Sequence, residues 1–273
     1  MSSKLGIVAG GGSLPQRLIE ACRREGREVF VVAVKGQADA ALLASAPDEW
    51  VRIGAPGKAV EFARARGITD VVFAGRFRRP SLLEVFPDRL AMQFILELGK
   101  HIFHDDAVHK AVVDWAARLG FRIVAPETID RGLLAPVGAL GALEPDADAR
   151  RDIARGIEVA RALGAVDVGQ GAIVQQGVVL AVEAVEGTDA MIARAAKLRL
   201  AGAGGVLVKA KKPGQEARID LPAIGVRTVE QAKAAGLRGI AIEAGGALVI
   251  DREGVVAAAD AAGLFVVGVK VPS

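Results

Sequence analysis

The sequence predicts an α/β protein of two domains, and three observations carry that reading. A short apolar strand, a glycine turn, a helix and a second strand follow one another within residues 4–34. The alternation of buried strands with helical periodicity continues to residue 126 and resumes after residue 150. The length of 273 residues, at roughly 100–200 residues per domain, gives two domains.

Residues 4–9 form the first strand, and Gly10, Gly11 and Gly12 form the turn after it. Ser13 suits a helix cap and Pro15 a first helical turn. Leu14, Leu18, Ile19 and Cys22 then recur at helical spacing. Residues 28–34 are the second strand, so the unit is βαβ and its sheet is parallel. A helix over 57–67, a buried strand over 70–74, a long amphipathic helix over 106–119 and a strand over 121–126 complete a domain of residues 1–130. Residues 131–150 read as a linker, with Pro136, Pro145, three glycines and no sustained period. A second α/β domain occupies 151–273. It opens with a helix near 151–163, followed by strands at 171–176 and 178–184 joined by a Gln-Gly turn. A helix over 188–199 and a strand over 205–210 follow. Strands at 239–243, 247–250 and 264–269 are separated by helices near 228–235 and 253–262.

The composition excludes several classes. Thirty-five Lys and Arg against 32 Asp and Glu give +3, too weak a bias for a nucleic-acid binder but compatible with an anionic substrate. Cys22 is the only cysteine, so no internal disulfide or cysteine-based zinc site forms. The N-terminus does not read as a signal peptide, and no window holds the ~18–20 uncharged apolar residues that span a bilayer. The expectation is a soluble protein, at most attached to a membrane surface.

Several segments carry candidate chemistry. The Gly10–Gly12 turn opens a helix, where backbone N–H groups can meet an anion or simply make a tight turn. Arg76, Arg78 and Arg79, after the strand at 70–74, can grip phosphate or form a solvated basic loop. Asp105 and Asp106 suit either a helix N-terminus or a ligand. Gly169 and Gly171 around Gln170 suggest close backbone approach to a ligand, or a plain turn. Glu183, Glu186 and Asp189 offer oxygen ligands suited to Mg²⁺, although Gly187 and Thr188 are also placed to cap the next helix. From 209 to 225 come Lys209, Lys211, Lys212, a Pro-Gly turn, Gln215, Glu216, Arg218 and Asp220. Alternation would send Glu216, Arg218 and Asp220 to one face of a short strand, which fits phosphoryl chemistry or a charged edge. His101, His104 and His109 support a zinc site only weakly, and no P-loop or Gly-x-Ser-x-Gly pattern appears.

In order along the chain, these segments resemble the LpxI-type UDP-2,3-diacylglucosamine pyrophosphatase family. The resemblance rests on GIVAGGGSLP at 6–15, FAGRFRRP at 73–80, DDAV at 105–108 and VGQGAIV at 168–174. It continues through AVEAVEGTDAM at 181–191, KKPGQEARIDLPAIG at 211–225 and VIDREGVVAAADAAGLFVVGV at 249–269. It departs at His104, where such proteins often carry Gly, and at Ala223, where they carry Thr.

The resemblance implies a Rossmann-like N-terminal domain, a second α/β domain and a ligand crevice between them. It implies Mg²⁺-dependent cleavage of UDP-2,3-diacylglucosamine to 2,3-diacylglucosamine 1-phosphate (lipid X) and UMP in lipid A biosynthesis. The essential aspartate of the family corresponds to Asp220. The implied substrate contacts are Gly11, Gly12, Ser13, Gly75, Arg76, Gln170, Gly187, Thr188, Asp189, Lys209, Gln215 and Arg218. Asp220, Glu216 and Glu183 are the candidate magnesium ligands. The implied location is cytoplasmic, with transient contact at the inner face of the inner membrane, and a homodimer stays open. Two alternatives remain. A nicotinamide-dependent oxidoreductase is disfavoured by Pro15 at the place of the third fingerprint glycine and by Lys35 and Gly36 at the ribose position. A non-catalytic nucleotide-sugar binding protein is the other.

Overall fold

The computed structural model describes residues 3–39, 47–78, 86–99 and 105–271. Packing divides the chain into two units. One comprises Met1–Arg131 with Glu216–Asp220, the other Gly132–Gln215 with Leu221–Ser273.

In the first unit the elements are β1 (Leu5–Ala9), α1 (Leu14–Arg24), β2 (Val29–Val34), β3 (Glu49–Val51), α2 (Pro56–Ala65), β4 (Asp70–Ala74), α3 (Arg89–Leu98), α4 (Asp105–Arg118), β5 (Arg122–Ile123) and α5 (Pro126–Ile129). The sheet is parallel throughout, in the order β3-β2-β1-β4-β5. β1 is central, and its near-continuous apolar run is buried on both faces. α2 and α4 cover one face through Phe62, Val113 and Ala116, which pack with Val32, Val34 and Ile123. α1 turns Leu14, Leu18, Ile19 and Cys22 inward. Its expected cap is absent, because the Ser13 side chain takes no part in capping; Pro15 and Gly12, at φ +89°, set the turn instead. β5 is shorter than the apolar run suggests because Pro126 starts α5. β3 and α3 have no counterpart in the sequence reading. Three residues are too few for β3 to show a period, while α3 is capped by Asp88, whose Oδ1 accepts from Ala91 N at 2.7 Å.

Asp70 anchors the amino ends of these strands. It is 3% exposed and accepts hydrogen bonds from Ser3 Oγ at 2.6 Å, Arg27 at 2.9 Å and Arg122 at 2.9 Å. Burial would raise its pKa, but the Arg122 and Ser3 bonds and the Arg charges outweigh it and hold the carboxyl below its ordinary value. A depressed folded pKa gives stability that is full above the unfolded value, about 3.9, and lost as pH falls through the folded one. Asp70→Asn is therefore expected to cost about 2–3 kcal/mol at pH 7 and to flatten the loss of stability on acidification. Urea unfolding from pH 3 to 7 checks both; an unchanged acid slope would show that Asp70 is not the responsible group.

Glu216–Asp220 forms no strand. The Ile219 and Asp220 amides donate to Glu216 O at 3.0 and 3.1 Å, so the segment is a turn. The alternating-face expectation is thereby overturned. Ile219 is the reason the segment adheres to the first unit, because it packs on the core that contains Val113, Phe121 and Ile123.

In the second unit follow β6 (Gly138–Ala139), α6 (Ala147–Ala165), β7 (Gly171–Gln175), β8 (Val178–Val182), α7 (Gly187–Ala195), β9 (Val206–Lys209), β10 (Ala223–Ile224), α8 (Val226–Ala234), β11 (Gly239–Glu243), β12 (Leu248–Val249), α9 (Arg252–Ala262) and β13 (Phe265–Val269). The main sheet runs β6-β13-β11-β9-β7-β8, with β9, β11 and β13 parallel. β7, β8 and β6 pair antiparallel. α6 covers one face through Ala149 and Ile153, against Val206, Val208 and Val267. Gly156 permits this approach, since a Cβ there would lie 2.4 Å from Val208 Cγ2. α7, α8 and α9 cover the other face with Met191, Ile192, Val229 and Val255. Residues 134–139 are tied into this unit: Ala135 N donates to Ala247 O at 2.9 Å, and Gly138 pairs with Gly268. α6 starts at Ala147, earlier than its apolar period suggests, because Asp146 caps it. The β7–β8 turn has Gln176 and Gly177 at φ +54° and +78°, the left-handed pair that a two-residue hairpin needs. Among the described residues no helix is long and apolar enough to cross a membrane.

Candidate functional site

Lys209 ends β9 and is 4% exposed. Its Nζ donates to Thr188 Oγ1 at 2.7 Å and to Ala223 O at 3.5 Å, and lies 4.0 Å from Glu183 Oε1. The Thr188 hydroxyl donates in turn to Glu183 Oε1 at 2.6 Å. The capping role expected for Thr188 is not the one observed. α7 begins at Gly187, so Thr188 lies inside the helix and its hydroxyl joins Lys209 to Glu183. Gln170 belongs to the same neighbourhood, since its carbonyl accepts from Ala210 N and its Oε1 from Gln215 Nε2 at 3.3 Å. Gln215 Oε1 also accepts from Lys212 N. Thus Gln170, Glu183, Gly187, Thr188, Lys209 and Gln215 gather at the carboxyl end of β9 and the start of α7. Asp189 pairs with Arg227 at 3.1 Å and Glu186 with Arg194 at 2.6 Å.

The paired glycines at 169 and 171 admit a close approach within the chain. A Cβ on Gly169 would sit 2.1 Å from Glu183 O, and one on Gly171 2.7 Å from Glu183 Oε2. Their lack of side chains lets the Glu183 segment close onto β7. The close approach is therefore to the chain itself.

In the first unit, Gly11, Gly12, Ser13, Gly75 and Arg76 meet beyond the carboxyl ends of β1 and β4, where strand order reverses. Such switch points are where open α/β sheets bind ligands. Gly11 and Arg76 form an antiparallel bridge, with N–H···O distances of 2.9 and 2.8 Å. Gly75 is at φ +97°, and a Cβ there would lie 2.5 Å from Gly11 O. Gln37, which the sequence reading did not single out, clamps the same loop. Its amide donates to Arg78 O at 3.0 Å and accepts from Arg78 N at 2.8 Å. A lone glutamine after a strand carries no sequence signal for this.

Arg218 is placed elsewhere. Together with Ser3, Thr69, Asp70, Gly120, Phe121 and Arg122 it lines an open cavity of about 510 Å³ at the amino ends of the strands, opposite the Gly11–Arg76 edge. Its guanidinium grips Glu216 with two bonds of 2.7 Å. That grip holds the Glu216 carboxyl below its usual range and raises Arg218. Asp220 is half-buried at the end of the same turn. Arg79, His101 and His104 lie outside the described residues, as do the side chains of Asp105 and Asp106.

The three candidate magnesium ligands do not form a ready metal site. Among the described residues, no three or more His, Cys, Asp and Glu side chains gather to hold an ion. Both Glu216 oxygens are taken by Arg218, and Glu183 Oε1 faces an ammonium.

Comparison with known proteins places this geometry in a family. A model described as the LpxI N-terminal domain matches residues 4–133, and one described as the LpxI C-terminal domain matches residues 136–267. The chain belongs to the LpxI family. UDP-2,3-diacylglucosamine pyrophosphatase LpxI of Caulobacter vibrioides is 44% identical, over 97% of this chain and 97% of that one. The biotin carboxylase subunit of pyruvate carboxylase, a solved structure, is 16% identical over 63% of this chain and 35% of that chain, with a TM-score of 0.25. The two LpxI domain matches meet between residues 133 and 136, next to the division between the units at Arg131 and Gly132.

Proposed function

We propose that this LpxI-family chain hydrolyses the pyrophosphate bond of UDP-2,3-diacylglucosamine, releasing lipid X and UMP for lipid A synthesis. The observation that carries this is the 44% identity, spread over 97% of both chains, to a UDP-2,3-diacylglucosamine pyrophosphatase. The buried Lys209 ammonium supports it chemically. A desolvated cation at a strand end is worth more to developing phosphoryl charge than one in water. In this reading Lys209, Gln170 and Gln215 hold the pyrophosphate and its neighbouring groups, and Thr188 holds Lys209. The Gly11–Ser13 amides and Arg76 contact the nucleotide sugar. Asp220 orients the attacking water or takes its proton. Dependence on Mg²⁺ is supported by the family resemblance. Access to the inner face of the inner membrane follows from the lipid nature of the substrate.

Incubation with UDP-2,3-diacylglucosamine and Mg²⁺, followed by product identification, tests the reading. UMP and lipid X are expected, with turnover abolished by EDTA. Release of UDP would mean that the glycosidic bond is cut. Full turnover in EDTA would remove the metal, and binding without turnover would leave a nucleotide-sugar binding protein.

A further inference from the structure

The Lys209–Thr188–Glu183 chain has a fixed direction. An ammonium only donates, so the 2.7 Å bond from Lys209 Nζ must be accepted by Thr188 Oγ1. The single hydroxyl proton of Thr188 is then available for Glu183 Oε1, at 2.6 Å. Each member is therefore specified by the next, and Glu183, only 7% exposed, is the fixed end. Its main chain is held as well: Glu183 N donates to Gly171 O at 2.8 Å, and the missing side chains of Gly169 and Gly171 admit this close placement.

Glu183 Oε2 is buried and makes no hydrogen bond. It and Met191 Cε share the space over Gly171, being 2.7 and 3.2 Å from the point a Cβ would occupy there. Mg²⁺ demands octahedral oxygen ligation and keeps several of its waters. An oxygen walled by a methyl group and a glycine does not offer that, and the other oxygen already serves Thr188 beside an ammonium.

We propose that Glu183 is a positioning residue, not a magnesium ligand: through Thr188 it holds the Lys209 ammonium in one place and orientation for the pyrophosphate. The proposal rests on the pyrophosphatase reading above for its substrate, but the relay itself does not. Glu183→Gln keeps the shape and removes the charge. Thr188→Val keeps the shape and removes the relay, and Thr188→Ser restores the hydroxyl.

Three measurements are made on the full chain. Steady-state kinetics should show kcat lowered about 10- to 100-fold in Glu183→Gln and Thr188→Val, the range for groups acting through another side chain. Thr188→Ser should recover most of the loss, and the Mg²⁺ concentration for half-maximal rate should stay as in the parent. NMR of ¹⁵N-lysine-labelled protein, with the signal assigned by Lys209→Met, should show the buried Lys209 ammonium in the parent and its shift or loss in Glu183→Gln, without substrate. A raised Mg²⁺ requirement in Glu183→Gln would make Glu183 a metal ligand and overturn the proposal. So would parent-like kcat, or an unmoved ammonium signal. If Glu183→Gln does not fold, the Thr188 pair decides: equal rates in the Val and Ser variants overturn the relay. If the parent does not hydrolyse the substrate, the pyrophosphatase reading fails while the NMR comparison still tests the relay.

Discussion

Asp220→Ala is expected to lose at least ~10²-fold in kcat while melting like the parent, the scale of one general acid–base or electrostatic group. Three structural facts support the second half of that expectation. The turn that carries Asp220 is closed by main-chain bonds to Glu216 O, which the substitution leaves in place. The apolar anchor of the turn is Ile219, not Asp220. Asp220 is half-buried as a residue, so no large apolar surface is lost. Lys209, Gln170 and Gln215, which contact the substrate in the proposed reaction, are untouched, so substrate affinity should persist. Turnover, affinity and thermal melting measured on one preparation separate the cases. Near-normal turnover would remove Asp220 from the chemistry. Lost turnover with a collapsed melting transition would make it structural.

Lys209→Met should be as damaging to activity and, unlike Asp220→Ala, should also destabilise. The methionine stem fills the same buried track, but the cation is gone. In a dry site one donor aimed at developing oxyanion charge is worth about 10²–10³ in kcat. The stability effect arises from what remains: Glu183, 7% exposed, keeps its Thr188 bond but loses the ammonium 4.0 Å away. An uncompensated buried charge costs roughly 3 kcal/mol. Combining Lys209→Met with Glu183→Gln removes both charges. The double variant should melt closer to the parent than Lys209→Met and remain just as inactive. Equal melting of the single and double variants would show that the two charges do not interact.

Much of this architecture was legible because the signals were local and repeated. β1, α1 and β2 announce themselves through a buried apolar run, Pro15 and helical spacing. β11 at Gly239–Glu243 falls where its β-branched residues predict. Elements defined by partners were not legible. β3 has three residues and exists only because it pairs with β2. Residues 134–139 look structureless in isolation, yet their amides and carbonyls are spent on Ala247, Gly245 and β13. At the site, the fold brings Lys209, Thr188 and Gln170 together at the end of β9. Spacing could not show that the Thr188 hydroxyl faces the sheet instead of capping its helix. Nor could it show that Gly169 and Gly171 make room for Glu183. The period-two pattern of Glu216, Arg218 and Asp220 misled because the segment closes on itself, with the Ile219 and Asp220 amides donating to Glu216 O. The Arg218–Glu216 clasp then stabilises a turn.

The membership of Ile219 in the first unit bears on how the chain is made. Synthesis delivers residues 1–131 long before 216–220, so the N-terminal core emerges with the surface that Ile219 will cover still open to water. Its final apolar contact waits until most of the second unit has left the ribosome. A fragment ending at Arg131 would keep that surface bare, and the two halves are therefore not interchangeable modules to be cut and spliced at one point along the chain.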